Sequence, residues 1–173
     1  QTTNKLNDNQ RTQGFLIFYL QRVFSSFYPG VFPESFDDIQ ELITDGKDDQ
    51  GADLVYKYDD TVYVIQSKYR GKRTTEDENE INNFKSILNR LHPISGQKYK
   101  KNDKVEDAIS YIDWKNDRFE LIFLSLGKGN DDINNTVDEG VPENKDIKGI
   151  DERANFQFLD EEELNKDFID VIN

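Results

Sequence analysis

A carboxylate, an amide and an amine that could act on one substrate occur close together in this sequence. They are Asp53, Gln66 and Lys68, and two further aspartates, Asp45 and Asp49, precede them. Mg²⁺ binds carboxylate, amide-carbonyl and water oxygens, and it lowers the pKa of a bound water. A lysine beside that water stabilises negative charge as it develops. These residue types predict a Mg²⁺ site formed by Asp49, Asp53 and Gln66. We expect Asp53, Gln66 and Lys68 to act in phosphodiester hydrolysis.

A predicted β-hairpin brings these three side chains together. Its strands, 54–58 and 61–69, are rich in β-branched and aromatic residues, and the two aspartates between them form the turn. Side chains two apart in a strand point to the same face, so Gln66 and Lys68 project together. Asp53 opens the partner strand and is therefore expected beside them.

The rest of the chain shows helical and strand-like patterns in alternation. Apolar residues at helical spacing predict helices, over 12–27, over 34–43, from a Thr74 or Thr75 cap to 91, over 104–114, and after an Asp160 cap. Apolar runs predict a buried central strand at 119–126 and a short strand at 156–159, with a long polar surface loop over 127–152 between them. This order predicts an α/β fold, a mixed central sheet flanked by helices, in a single domain over 1–173.

Charge is spread unevenly along the chain. The 173 residues include 22 basic and 35 acidic side chains, a net charge of −13. The segment 66–104 is nonetheless locally basic, so a phosphate-binding patch inside an acidic protein is one interpretation, and solvated loops are the other. Six basic side chains are the candidates for nucleic-acid contact: Arg70, Lys72, Arg73, Lys98, Lys100 and Lys101.

Composition excludes several other chemistries. Because the chain has no Cys, thiolate catalysis and Cys-ligated zinc are excluded, and its single histidine, His92, excludes a multi-His metal site. His92 precedes Pro93, where we expect it to cap helix carbonyls. No apolar run is long enough to span a membrane, and no leader opens the chain, so we expect a cytoplasmic protein. The absence of Met indicates a piece of a longer protein.

The strings Asp49-Gln50-Gly51-Ala52-Asp53 and Ile65-Gln66-Ser67-Lys68-Tyr69 resemble the Gln-x-Lys branch of the PD-(D/E)XK nuclease superfamily. That branch includes Mrr-like restriction endonucleases and the N-terminal domain of abortive infection phage resistance proteins. The resemblance covers roughly residues 45–70. It implies a restriction-endonuclease-like α/β/α sandwich and a Mg²⁺-dependent endonuclease, with Mn²⁺ as a possible substitute. Asp53, Gln66 and Lys68 take the family's active-site positions.

The resemblance also implies a biological role and a missing ligand. It points to DNA rather than RNA as substrate, in bacterial phage defence or restriction, with recognition supplied by further domains or a partner protein. Many members carry a Glu in the first helix as an additional ligand. Residues 11–28 contain neither Glu nor Asp, so Glu34 and Glu41 are the candidates for that position.

Three alternatives stay open on the sequence. Asp49 could close an Asx turn in its loop instead of binding metal. The absent helix Glu is compatible with a catalytically inactive, nuclease-like module that binds nucleic acid or supports an assembly. The charge of −13 is compatible with an acidic protein-interaction domain that mimics nucleic acid. The oligomeric state is also open, a homo-oligomer included.

Overall fold

A four-stranded mixed sheet forms the centre of the computed structural model, which describes residues 7–70 and 74–172. Its strands stand in chain order, as β1 (Leu54–Tyr58), β2 (Thr61–Lys68), β3 (Arg118–Ser125) and β4 (Ala154–Leu159). β1 is antiparallel to β2, whereas β2–β3 and β3–β4 are parallel pairs. The predicted hairpin and the predicted central strand are confirmed.

Helices cover both faces of the sheet. The first face carries α1 (Asp8–Tyr19), a π-helical turn (Leu20–Phe24), α2 (Ser25–Phe27) and α3 (Phe36–Leu42). The second face carries α4 (Glu78–Lys85), α5 (Ile87–Leu91), α6 (Asp103–Ser110), α7 (Asp131–Asp138) and α8 (Ile150–Arg153). The last helix, α9 (Glu161–Ile172), returns to the first face, where Leu164 joins the core. The predicted α/β/α arrangement is therefore confirmed.

β2 contributes side chains to both hydrophobic cores, because its side chains alternate between the two faces of a covered sheet. Val62 and Val64 belong to the core under α4–α6, and Tyr63 and Ile65 belong to the core under α1. The same alternation carries Gln66 and Lys68 to the α4–α6 side at the end of the strand. The strand thus ends on polar side chains after a buried apolar run.

Two predictions from the sequence were wrong, one for residues 127–152 and one for the helix that was expected to end at 91. Residues 127–152 are not one loop, because they contain α7 and α8. Asn130 caps α7 by accepting from the Ile133 N–H at 2.9 Å, and Ile133 and Thr136 are buried on one face of a helix in which five of eight residues are Asn or Asp. The helix predicted to end at 91 begins at Glu78 and is interrupted at Ser86, whose hydroxyl donates to a helix carbonyl.

The remaining helix boundaries move by a few residues. The first helix begins at Asp8, where an Asn7–Gln10 capping box supplies a start that the apolar pattern did not reveal. The predicted Asp160 cap is confirmed, since its carboxylate accepts from the Glu162 and Glu163 N–H groups at 3.1 Å. Within the described residues, no helix has the length and apolar character needed to cross a membrane.

Candidate active site

The loop that leads into β1 brings three carboxylates together. Asp45, Asp49 and Asp53, named here the aspartate cluster, each offer one oxygen that lies within 4.8 Å of the others. The chain folds back on itself because Asp48, Gln50 and Gly51 all adopt positive φ angles, of 63°, 59° and 86°. Glycine is the residue that tolerates this conformation best, which explains Gly51 in the motif. Asp45 thus joins the two aspartates that the motif singled out.

Asp49 stabilises the loop by hydrogen bonds and also belongs to the aspartate cluster. Its two carboxylate oxygens accept from the Gly51 N–H at 2.8 Å and the Gly46 N–H at 3.2 Å. Asp49 therefore closes an Asx turn. Each carboxylate oxygen has a second lone pair, so these two hydrogen bonds leave acceptor capacity for a cation.

Asp53 is fixed by the strand that carries Gln66 and Lys68. Its N–H donates to the Ile65 carbonyl at 2.9 Å, and its Oδ2 accepts from the Ser67 N–H at 2.6 Å. Gln66 lies between these two partners in the sequence. The strand register therefore places the Asp53 carboxylate beside Gln66, as the sequence predicted.

The electrostatics of the cluster favour a positive ligand. Burial, together with the charges of Asp45 and Asp49, raises the pKa of Asp53 to about 7, against the lowering effects of the Ser67 N–H and the charge of Lys68. Burial also raises the pKa of Asp49, against the two backbone hydrogen bonds. Crowded carboxylate oxygens are the donor set that a hard divalent cation prefers, so these residues fit Mg²⁺.

Contacts from the second face hold the loop in place. Asn102, which caps α6, donates from its side chain to the Thr44 carbonyl at 2.9 Å and from its backbone to the Asp48 carbonyl at 3.0 Å. The Gln50 side chain donates to the Lys100 carbonyl at 2.5 Å. The aspartate cluster is therefore built on a braced loop.

The first helix supplies an amide to the site in place of a carboxylate. Gln13 of α1 donates from Nε2 to Asp45 Oδ2 at 2.9 Å. Neither Glu34 nor Glu41 joins the cluster among the described carboxylates, and both are exposed. Glu41 lines a separate cavity of about 580 Å³ between β1 and α6. Gln13 carries no sequence signal of this role, since it lies outside both motifs.

The basic residues divide into paired, buried and exposed groups. Arg70 forms ion pairs with Glu76 at 3.0 Å and Glu80 at 2.6 Å, which raise its pKa. Lys101 is buried and donates to the Gly96 carbonyl at 3.0 Å, so it holds a loop, contrary to the expectation of phosphate contact. Two candidates are exposed, Lys98 and Lys100, and two lie outside the described residues, Lys72 and Arg73.

His92 caps a turn instead of helix carbonyls. It is buried, and its Nδ1 lies 3.3 Å from the N–H groups of Ile94 and Ser95, which donate to it. Its ring meets Trp114 edge-on at 5.0 Å. Burial lowers the pKa of His92, so the neutral imidazole serves a structural purpose.

Arg90 is a second residue that the sequence did not single out. Its guanidinium donates to the Gln50 carbonyl at 3.3 Å and to the Asn83 carbonyl at 2.8 Å. Arg90 Nη2 and the Gln66 amide both lie 3.9 Å from the point that a Cβ on Gly51 would occupy. Arg90, Gln66 and Gly51 also line one cavity of about 450 Å³, named here the arginine pocket.

Comparisons with protein-family models, with curated proteins and with solved structures found no match. The assignment of a function therefore depends on the geometry of this site. That geometry joins an aspartate cluster, an amide from β2 and a lysine whose charge acts on Asp53.

Proposed function

We propose that this domain is a Mg²⁺-dependent nuclease that hydrolyses phosphodiester bonds, with DNA as the expected substrate. The observation that carries the proposal is the aspartate cluster, which meets the β2 residues Gln66 and Lys68 at the end of one hairpin. A role in bacterial phage defence or restriction follows from the resemblance of the two motifs.

The metal would be held by carboxylates that the loop has already gathered. Asp49 and Asp53 are the expected ligands, Asp45 is a third oxygen donor within reach, and the Gln66 carbonyl is the amide candidate. When bound, Mg²⁺ supplies Lewis-acid stabilisation of phosphate charge and a more acidic water. Mn²⁺ accepts the same oxygen ligands and is expected to substitute.

Residues of the chain itself orient the reacting groups. The Ser67 N–H holds the Asp53 carboxylate by a 2.6 Å hydrogen bond, so Ser67 is a positioning residue. The Lys68 ammonium acts electrostatically on Asp53, and it is the cation that we expect at the phosphate oxygens, where negative charge develops. Loss of Lys68 should therefore affect turnover more than metal binding.

The net negative charge of the chain affects its affinity for nucleic acid. A net charge of −13 repels the phosphate backbone at long range, so affinity for nucleic acid is expected to be weak and strongly salt-dependent. We infer that target recognition belongs to further domains or to a partner protein. The domain by itself would cut with little selectivity at low salt.

The test combines a cleavage assay with a separate metal-binding assay. Purified protein is incubated with plasmid, single-stranded DNA and RNA at low salt, with Mg²⁺, Mn²⁺ or EDTA. Asp53→Asn and Lys68→Ala are run beside Asp107→Asn and Lys104→Ala, which alter exposed residues of α6. Isothermal titration with Mg²⁺ measures metal binding in every variant.

Cleavage that needs metal and falls at least about 100-fold in both site variants, but not in the α6 controls, supports the proposal. Mg²⁺ binding should be lost in Asp53→Asn and kept in Lys68→Ala. Folded protein that neither cuts nor binds Mg²⁺ overturns it. That result favours the inactive module, for which the Gln13 amide at the position of a carboxylate is the supporting observation.

A further inference from the structure

The arginine pocket lies directly beside the candidate active site. Gln66 belongs to both, because it follows Ile65 on β2 and its amide borders the pocket. The pocket has a volume of about 450 Å³, within the size range of cavities that hold one small ligand. Six of the side chains that line it would determine which ligand it binds: Gln66, Glu80, Asn83, Phe84, Arg90 and Tyr99.

Arg90 is a half-buried cation that the described part of the chain does not neutralise. The oxygens that accept from its guanidinium are the Gln50 and Asn83 carbonyls and the Ser86 hydroxyl. Among the described residues, no carboxylate forms an ion pair with it. Glu80, in the same pocket, forms an ion pair with Arg70 at 2.6 Å. A desolvated guanidinium without a counter-ion is suited to bind phosphate.

Tyr99 gives the same pocket a flat aromatic wall. Its position is secured by backbone contacts, since its N–H donates to the Gly96 carbonyl at 2.9 Å and its carbonyl accepts from the buried Lys101 ammonium at 3.2 Å. The exposed Lys98 lies over the ring, 5.2 Å from its centre. An aromatic side chain next to cations is the usual surface for a nucleobase and its phosphate.

We propose that the arginine pocket binds one unpaired nucleotide next to the scissile bond, with its phosphate on Arg90 and its base against Tyr99. The proposal rests on the proposed nuclease function, because the pocket shares Gln66 with that site. It names the substrate class as single-stranded or locally unpaired nucleic acid. In a duplex both faces of each base are covered by neighbouring bases, so a duplex cannot present a base to Tyr99.

The test measures binding without cleavage. Fluorescence anisotropy in EDTA at low salt follows a labelled single-stranded oligonucleotide of about 12 nucleotides and the matching duplex. Arg90→Gln and Tyr99→Leu are compared with Lys104→Gln and Tyr111→Leu, which remove a positive charge and a phenol ring from exposed positions beside the separate cavity. Each pocket variant should weaken single-strand binding about tenfold, with duplex binding unchanged, and the controls should bind as the wild type does.

Arg90 also donates to the loop carbonyl of Gln50, so a second variant separates binding from support of the loop. Arg90→Lys keeps the charge without the forked hydrogen bonds and should recover part of the single-strand affinity. If Arg90→Lys fails like Arg90→Gln, and both lose the Mg²⁺-induced rise in melting temperature, Arg90 only braces the loop and the proposal is overturned. Wild-type affinity in both Arg90→Gln and Tyr99→Leu also overturns it.

The two proposals fail in different ways. Pocket-dependent binding in a protein that never cuts would contradict the nuclease and leave the nucleotide pocket standing. Metal-dependent cutting with wild-type binding in the pocket variants would leave the nuclease standing and remove the pocket.

Discussion

Two arginines near the end of β2 stand in opposite electrostatic surroundings. Arg70 is held by two carboxylates, and one of them, Glu76, is buried and also accepts from the Ser125 hydroxyl at 2.5 Å. Arg90 meets carbonyl and hydroxyl oxygens among the described residues, and no carboxylate there pairs with it. The first arginine closes a network within the protein. The second has no carboxylate partner among the described residues.

The carboxylates repeat this contrast. Glu76 and Glu80 share a cation, whereas Asp45, Asp49 and Asp53 crowd together and raise the pKa of Asp53. Removal of one charge from a compensated pair leaves its partner buried and uncompensated, which destabilises the folded state. Uncompensated charges destabilise the folded state until a ligand of opposite sign binds. The difference separates the residues that hold this molecule together from those that await a ligand.

The largest expected effect is a stabilising one, at Asp53. Its pKa of about 7 lies above the ordinary value of 3.8, so the folded protein binds a proton that the unfolded chain releases between those values. Without metal, this contribution to stability is fully present below about pH 4 and is lost as the pH rises to about 7. Asp53→Asn should remove that loss, which we expect to amount to about 4 kcal/mol.

Urea unfolding in EDTA at a series of pH values measures this effect, with Asp107→Asn as the control at an exposed position. The wild type and the control should lose stability along the same curve, and Asp53→Asn should follow a flatter one. Identical pH dependence in all three proteins would show that the aspartates do not repel one another in the folded state. The contrast between the paired glutamates and the crowded aspartates would then be contradicted.

The opposite sign is expected for the paired carboxylates. Glu76→Gln leaves Arg70 without its buried partner and should reduce the free energy of unfolding by about 2 kcal/mol. Glu80→Gln removes a half-exposed partner of the same arginine and should cost about 0.5 kcal/mol. Equilibrium denaturation at pH 7 compares the pair. Equal losses in the two variants would contradict the importance of burial in this network.

A smaller change than that of Glu76→Gln is expected where α1 touches the aspartate cluster. Gln13→Glu places a fourth carboxylate beside Asp45 and should destabilise the metal-free protein by about 1 kcal/mol. The same change should enlarge the Mg²⁺-induced rise in melting temperature, because an added anionic oxygen strengthens metal binding. Gln40→Glu, at an exposed position of α3, is the control. A smaller Mg²⁺ shift in Gln13→Glu than in the wild type would argue against a cation at this cluster.

Much of the site could be predicted from the sequence because its parts are local. Strand alternation determined that Gln66 and Lys68 share a face, and the hairpin register set Asp53 beside Gln66. The glycine in the motif marked the turn, where Gly51 has a φ of 86°. Such features depend on neighbours within one hairpin, so the pattern of a short segment contains them.

The sequence pattern was less informative for a helix with few apolar residues. α7 was missed because Asn and Asp dominate its composition, and only its packing against α4 and β4 decides its conformation. The break at Ser86 likewise depends on a side chain that can bond to the backbone or stay in solvent.

The sequence by itself determined the hairpin, the order of strands and helices that predicts a sheet covered on both faces, and the motif residues, since residue periodicity and hairpin turns are local properties of the chain. Only the tertiary structure decided that Gln13 reaches Asp45 across 32 residues and that Arg90 reaches Gln50 across 40. It also decided that Arg70 is paired and Lys101 is buried. The physical reason is that a charge acquires its partner, its desolvation and its pKa from groups that only folding brings near.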